Sequence, residues 1–267
     1  MTMVGDRWTT VTTEDGGVVH VLVHEPGIPA RGQLVWAHGG SWQHGSAAQW
    51  APMTRRLAAC SGWAVTSVDY RLADAARFPA AVCDVLDVLG HVDDVEMPLA
   101  VGGDSAGGTI AALVALARRD RGERVPSQFL AYPPLDPGCG RPSYHRDPTV
   151  FPRPAELRRA WRVWLDGDGG VARGELRRSP LDAASLSGLA PAFLAVGDLD
   201  PVLDDVVEYA GLLCAADVPT SLSIVPGATH ADLLGSHSGL FADLTAALIE
   251  AAAEGSTTIA HDERTAP

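Results

Sequence analysis

The chain has 267 residues, enough for one large domain or two small ones, and 46% apolar content allows a substantial core. A formal net charge of −13 argues against nucleic acid or an anionic membrane surface as a partner. Every Lys/Arg-type cation is arginine, and the lack of lysine excludes a lysine Schiff base or a serine–lysine mechanism.

The N-terminal stretch Met1 to Thr13 has no long apolar core and no cleavage-like site. No apolar run reaches the length of a membrane span, so cytoplasmic residence is the default expectation. Trp8 to Val23 alternates with period two around Glu14-Asp15-Gly16-Gly17, which predicts an antiparallel hairpin. Gln33 to Ala37 predicts a short strand running into His38-Gly39-Gly40. Pro52 to Cys60 predicts a helix, Trp63 to Val68 a strand, and Pro79 to Leu89 a helix carrying Asp84 and Asp87. Leu99 to Val101 predicts a strand feeding Gly102-Gly103-Asp104-Ser105-Ala106-Gly107-Gly108, and Ile110 to Arg119 a helix leaving it. Phe129 to Tyr132 predicts a strand stopped by Pro133-Pro134.

From Pro134 to Ala190 no strand is expected, and only Ala155 to Leu165 has helical spacing, with Trp161 and Trp164 on it. Such an insert suits a lid or a pocket wall, and the tryptophans are expected to anchor it on the core. Pro191 opens a strand over Ala192 to Val196, followed by a helix over Val202 to Cys214. A last strand, Leu222 to Val225, precedes a helix over Leu240 to Ala253, and Glu254 to Pro267 is expected to be a frayed polar tail. Strands alternating with helices predict an α/β fold in one domain over 1–267, its mostly parallel sheet covered on both faces. The four cysteines, Cys60, Cys83, Cys139 and Cys214, have no zinc spacing and are expected as buried or half-buried thiols.

The chemistry begins at Ser105, which sits in a Gly-x-Ser-x-Gly frame between a strand and a helix. That context makes a nucleophile elbow, where a tight turn holds the hydroxyl proud of the sheet. A serine nucleophile needs a base and a group that orients the base. His230 follows the strand Leu222 to Val225, in a loop at the carboxyl end of the sheet, and is preferred as base over His237. Asp198, Asp200, Asp204 and Asp205 compete for the acid. Asp200 precedes Pro201 and falls in the loop, whereas Asp204 and Asp205 read as solvated or first-turn helix residues. Tetrahedral intermediates also need amide donors. Ala106 follows the nucleophile, and the remaining amides are expected from the His38-Gly39-Gly40-Ser41-Trp42 loop, with His38 as a loop-holding hydrogen bonder.

These motifs, in this order, resemble the hormone-sensitive lipase-like branch of the α/β-hydrolases, over about Gln33 to Leu248. His38-Gly39-Gly40-Ser41-Trp42 is similar to its oxyanion motif. Asp69-Tyr70-Arg71-Leu72-Ala73, Pro79-Ala80 with Asp84, Gly103 to Gly108, Ser179-Pro180-Leu181, Asp200-Pro201 and His230 match further segments. The resemblance implies an α/β-hydrolase fold, a reduced cap within 134–190, and an oxyanion hole of the Gly40, Ser41 and Ala106 amides, with Ser41 in place of a third glycine. It implies a cofactor-free, metal-free serine carboxylesterase using Ser105, Asp200 and His230 on short- to medium-chain esters. The His-Gly-Gly-x-Trp variant also resembles the kynurenine formamidase branch, so a formamide-cleaving amidase is the alternative. A biosynthetic acyltransferase or a non-catalytic ligand receptor ranks below it. The expected partner is a small acyl ester or amide, with no nucleic acid and no membrane span, and with a homodimer left open. Asp69 and Arg71 are expected to pair and hold loops together.

Overall fold

The computed structural model describes residues 3–147, 149–166, 176–235 and 238–262. Eight strands form one sheet in the order β1-β2-β4-β3-β5-β6-β7-β8. β1 (Gly5–Thr12) and β2 (Val18–Glu25) form the expected hairpin, and β2 runs antiparallel to β4 (Ala64–Asp69). All further pairings are parallel, through β3 (Gln33–Ala37), β5 (Leu99–Asp104), β6 (Ser127–Ala131), β7 (Ala192–Gly197) and β8 (Thr220–Val225). β5 is buried along its whole length, which is why it reads as a near-continuous run of apolar and small residues with no alternation.

Among the described residues, six α-helices connect and flank the strands: α1 (Ala47–Ser61), α2 (Ala80–Val92), α3 (Ala106–Asp120), α4 (Pro154–Leu165), α5 (Leu203–Ala215) and α6 (Gly239–Asp262). α1 packs with α6, α2 packs with α3, and α5 lies over β7 and β8. α1 starts earlier than the proline at position 52 suggested. Ser46 caps it by accepting the Gln49 amide at 3.2 Å, and Asp69 accepts the Ala47 amide at 3.0 Å. α6 continues past Ala253, and of the expected polar tail only the backbone to Asp262 is described. α3 crosses β3 at very close range: a Cβ on Gly107 would sit 2.0 Å from the Ala37 carbonyl oxygen.

The core runs along β3, β5, β6 and β7, with Trp36, Trp63, Trp161 and Trp164 among its largest buried side chains. Each large apolar side chain so buried contributes roughly 1.5–3 kcal/mol relative to exposure. Cys83 and Cys139 are buried, but Cys60 and Cys214 are exposed, on the outward faces of α1 and α5, which corrects the expectation for those two. No helix among the described residues is long and apolar enough to cross a membrane. Register brings Ala37 beside Gly103, Asp104 beside Ala131, and Gly197 beside Val225. The carboxyl ends of β3, β5, β6, β7 and β8 therefore open onto one edge, where loops from distant parts of the sequence meet.

Candidate active site

Ser105 joins β5 to α3 with φ 50° and ψ −122°. That is a left-handed, strained conformation for a residue with a side chain, held by the Ser105 amide bonding to the Ala131 carbonyl at 2.9 Å. The strain leaves the hydroxyl half-buried at the sheet edge, next to solvent. His230 follows β8. Its loop is stapled by Asp232, which accepts the Thr229 amide at 2.8 Å, and by Asp198, which accepts the Gly227 amide at 2.7 Å. The Ser105 Oγ lies 2.8 Å from His230 Nε2. On the other side of the ring, His230 Nδ1 donates to Asp200 at 2.8 and 3.0 Å from its two oxygens. Asp200 is buried and turned inward by its own Oδ1 accepting the Val202 amide at 3.0 Å.

With Nδ1–H directed at a carboxylate, Nε2 is left as an acceptor for the serine proton. The arrangement can therefore generate a serine nucleophile, carry the proton on imidazole and return it to a leaving group. Of the four competing aspartates, only Asp200 reaches His230. Asp198 instead ties the β7 and β8 loops together. Asp204 accepts the Ser143 amide at 2.7 Å. Asp205 lies in the first turn of α5, as expected, but it is fully buried and not solvated. It accepts the Leu135 and Asp136 amides and the Tyr144 hydroxyl, fastening the start of the insert to α5, and its burial pushes its carboxyl above the usual carboxylate range. His237 lies outside the described residues, and His145 is exposed on a short helical turn.

The loop after β3 holds three consecutive positive φ values: Gly40 at 119°, Ser41 at 54° and Trp42 at 60°. A Cβ on Gly40 would fall 2.1 Å from the His44 carbonyl oxygen, so that position needs glycine. Among the described residues, no acceptor pairs with the amides of Gly40, Ser41 or Ala106. Unpaired backbone amides are the kind of donor a developing oxyanion requires. The loop is held from below by Asp104, whose Oδ1 accepts the Gly39 amide at 3.2 Å and the Trp50 and Trp36 indoles at 2.8 and 3.2 Å. Burial pushes the Asp104 carboxyl up to about 7, and these three bonds work against that rise. His38 has the loop-holding part expected of it. Its Nδ1 bonds the Gly39 carbonyl at 2.7 Å, its ring stacks on Tyr70, and the Tyr70 hydroxyl bonds the His38 carbonyl at 2.8 Å.

A model of the alpha/beta hydrolase fold family matches residues 34–234. The chain belongs to this family. It is 33% identical over 234 residues to an ethyl acetate hydrolase of Pseudomonas putida, covering 83% of this chain and 73% of that one. It is 34% identical over 209 residues to the carboxylesterase NlhH of Mycobacterium tuberculosis, covering 74% of this chain and 65% of the relative. The crystal structure of esterase LipW from Mycobacterium marinum superposes with a TM-score of 0.82 at 31% identity, covering 93% of this chain and 82% of that one. The eight-stranded sheet of this hydrolase has the architecture expected from its sequence.

One expected contact is absent and several working residues were not foreseen. Asp69 and Arg71 do not pair: Asp69 caps α1, whereas Arg71 grips Asp84 at 2.6 Å and Asp15 at 2.9 Å. Arg71 thus ties α2 to the N-terminal hairpin. Trp161 and Trp164 do anchor the insert against Trp42 of the loop after β3: Trp164 stacks on it at 4.5 Å and Trp161 meets it tilted at 4.4 Å. Asp104 escaped notice because its place inside the serine motif masked its separate contacts. Tyr132 (φ 39°), directly after β6, and Phe151, in the insert, both place rings against His230, at 4.6 and 5.5 Å. The stop of β6 at Pro133-Pro134 was the available signal for Tyr132; Phe151 carried none. Among the described residues no cluster of three or more His, Cys, Asp or Glu side chains is arranged to hold a metal ion.

Proposed function

We propose that this protein is a serine carboxylesterase hydrolysing short- to medium-chain carboxylic esters through an acyl-enzyme. The observation that carries the reading is the continuous chain Ser105 Oγ, His230 Nε2, His230 Nδ1, Asp200, with every link at 2.8 to 3.0 Å. Ser105 attacks the ester carbonyl while His230 takes its proton. The tetrahedral oxyanion meets the amides of Gly40, Ser41 and Ala106. Collapse expels the alcohol, which His230 protonates, and a water activated by the same imidazole releases the acid. Asp200 holds the imidazole tautomer throughout. The names of the similar proteins, an ethyl acetate hydrolase and a carboxylesterase, support esters as the substrate class.

The exposed thiols of Cys60 and Cys214 suit a reducing compartment and support the cytoplasm. The edge strand β8 exposes Leu222 and Ile224, which supports pairing with a second copy. The test is a panel of nitrophenyl esters of graded acyl length beside an aromatic N-formyl amide. Short and medium esters should be cleaved, and Ser105→Ala should lower kcat by about 10⁶-fold. Clear preference for the formamide would move the substrate class to amides. Full activity in Ser105→Ala would overturn the mechanism.

A further inference from the structure

We infer that Phe151 forms an aromatic subsite for the alcohol half of the ester, so that this enzyme selects esters of arylmethyl or similarly bulky apolar alcohols over those of small ones. The inference rests on the serine hydrolase reading and deepens it. In that reading the carbonyl oxygen points to the amides of Gly40, Ser41 and Ala106. The leaving oxygen must then lie within hydrogen-bond reach of His230 Nε2, because the imidazole gives it its proton. The alcohol substituent therefore extends along the His230 side of Ser105.

Two aromatic rings contact the imidazole. Tyr132 is fully buried, with its ring 4.6 Å from that of His230, and belongs to the core that supports the histidine. Phe151 meets the imidazole edge-on, at 5.5 Å and 69°, yet 58% of its surface is exposed. A ring so open adds little to holding a histidine already fixed by Asp200, by Tyr132 and by the Asp232 staple. Its free face is apolar surface beside the imidazole that, in that reading, protonates the leaving group. Leu199, one residue before Asp200, is also a large apolar side chain left 56% exposed. A substituent one or two bonds from the leaving oxygen can cover the Phe151 ring, and aromatic contacts of this kind favour offset or edge-on packing.

The test uses two acetate esters whose alcohols have comparable intrinsic leaving ability and differ in bulk, benzyl acetate and ethyl acetate. The readout is the ratio of their kcat/KM values. The wild-type ratio should favour benzyl acetate by about tenfold or more, Phe151→Ala should lower it by about tenfold, and Phe151→Tyr, which keeps the ring, should preserve it. Phe151 is exposed, so the variants should fold. If Phe151 acted only by supporting His230, both esters would slow together and the ratio would stay within about twofold. That result, or a loss in Phe151→Tyr equal to that in Phe151→Ala, would overturn the subsite. Failure of the wild type to cleave either ester, or Ser105-independent cleavage of both, would instead overturn the esterase reading, and the subsite with it.

Discussion

At the scale of single residues, the site depends on buried polar groups whose positions are fixed by several bonds at once. Asp104 shows the cost and the use of this. Its carboxyl is buried under the loop after β3, where it accepts the Gly39 amide and two indoles, and burial raises its pKa from 3.8 to about 7. Between pH 3.8 and about 7 the folded chain keeps a proton that the unfolded chain has released. The stability contribution is therefore fully present below the unfolded pKa and is lost as pH rises through the folded one. Asp104→Asn keeps the acceptor oxygen and has no proton to lose. Urea unfolding from pH 5 to 8 should show the wild type losing stability relative to Asp104→Asn, by up to about 1.4 kcal/mol per pH unit. A stability difference that stays constant with pH would contradict the assignment of Asp104 as the titrating group.

At the scale of elements, the insert and the loop after β3 form one packed unit. α4 lays Trp164 parallel to Trp42, with an interplanar angle of 3°, and sets Phe78 edge-on to it at 5.3 Å. The Trp164 carbonyl accepts the Phe78 amide at 2.9 Å, and the Trp42 carbonyl accepts the Ala73 amide at 2.8 Å. Trp42 is thus the meeting point between the loop after β3 and a helix far away in sequence. Trp164→Ala would leave a large void against Trp42 and should destabilise the protein by about 3–5 kcal/mol in urea unfolding, with Trp164→Phe costing much less. A loss below about 1 kcal/mol for the alanine variant would mean that α4 does not rest on this stack. The helical spacing of Ala155 to Leu165 and the anchoring role of its tryptophans were readable, because they are properties of a local pattern. Their partner Trp42 was not, because a stack between residues so far apart in sequence leaves no periodic trace.

At the scale of the whole molecule, local order in the sequence accounts for most of the architecture. The alternation of strands and helices, the elbow at Ser105, and loops at strand ends carrying Asp200 and His230 are all legible in short stretches. The parallel sheet then converts that order into proximity, since the strand ends before Ser105, Asp200 and His230 open onto one edge. Legibility fails where side chains choose between partners in three dimensions. Arg71 takes Asp84 and Asp15 and leaves Asp69, and Asp205 turns inward to fasten the insert. Phe151 becomes visible only once the insert is folded over His230. The net charge of −13 favours solubility and says nothing of the substrate.

In the proposed mechanism Ser105 is the nucleophile and His230 activates it. Intact-mass and peptide mass spectrometry during titration with a nitrophenyl phosphonate ester tests it most directly. One adduct per chain should form on Ser105, esterase activity should fall in step with its formation, and Ser105→Ala should stay unlabelled. Activity surviving complete modification of Ser105, or an inactivating adduct on another residue, would contradict that claim.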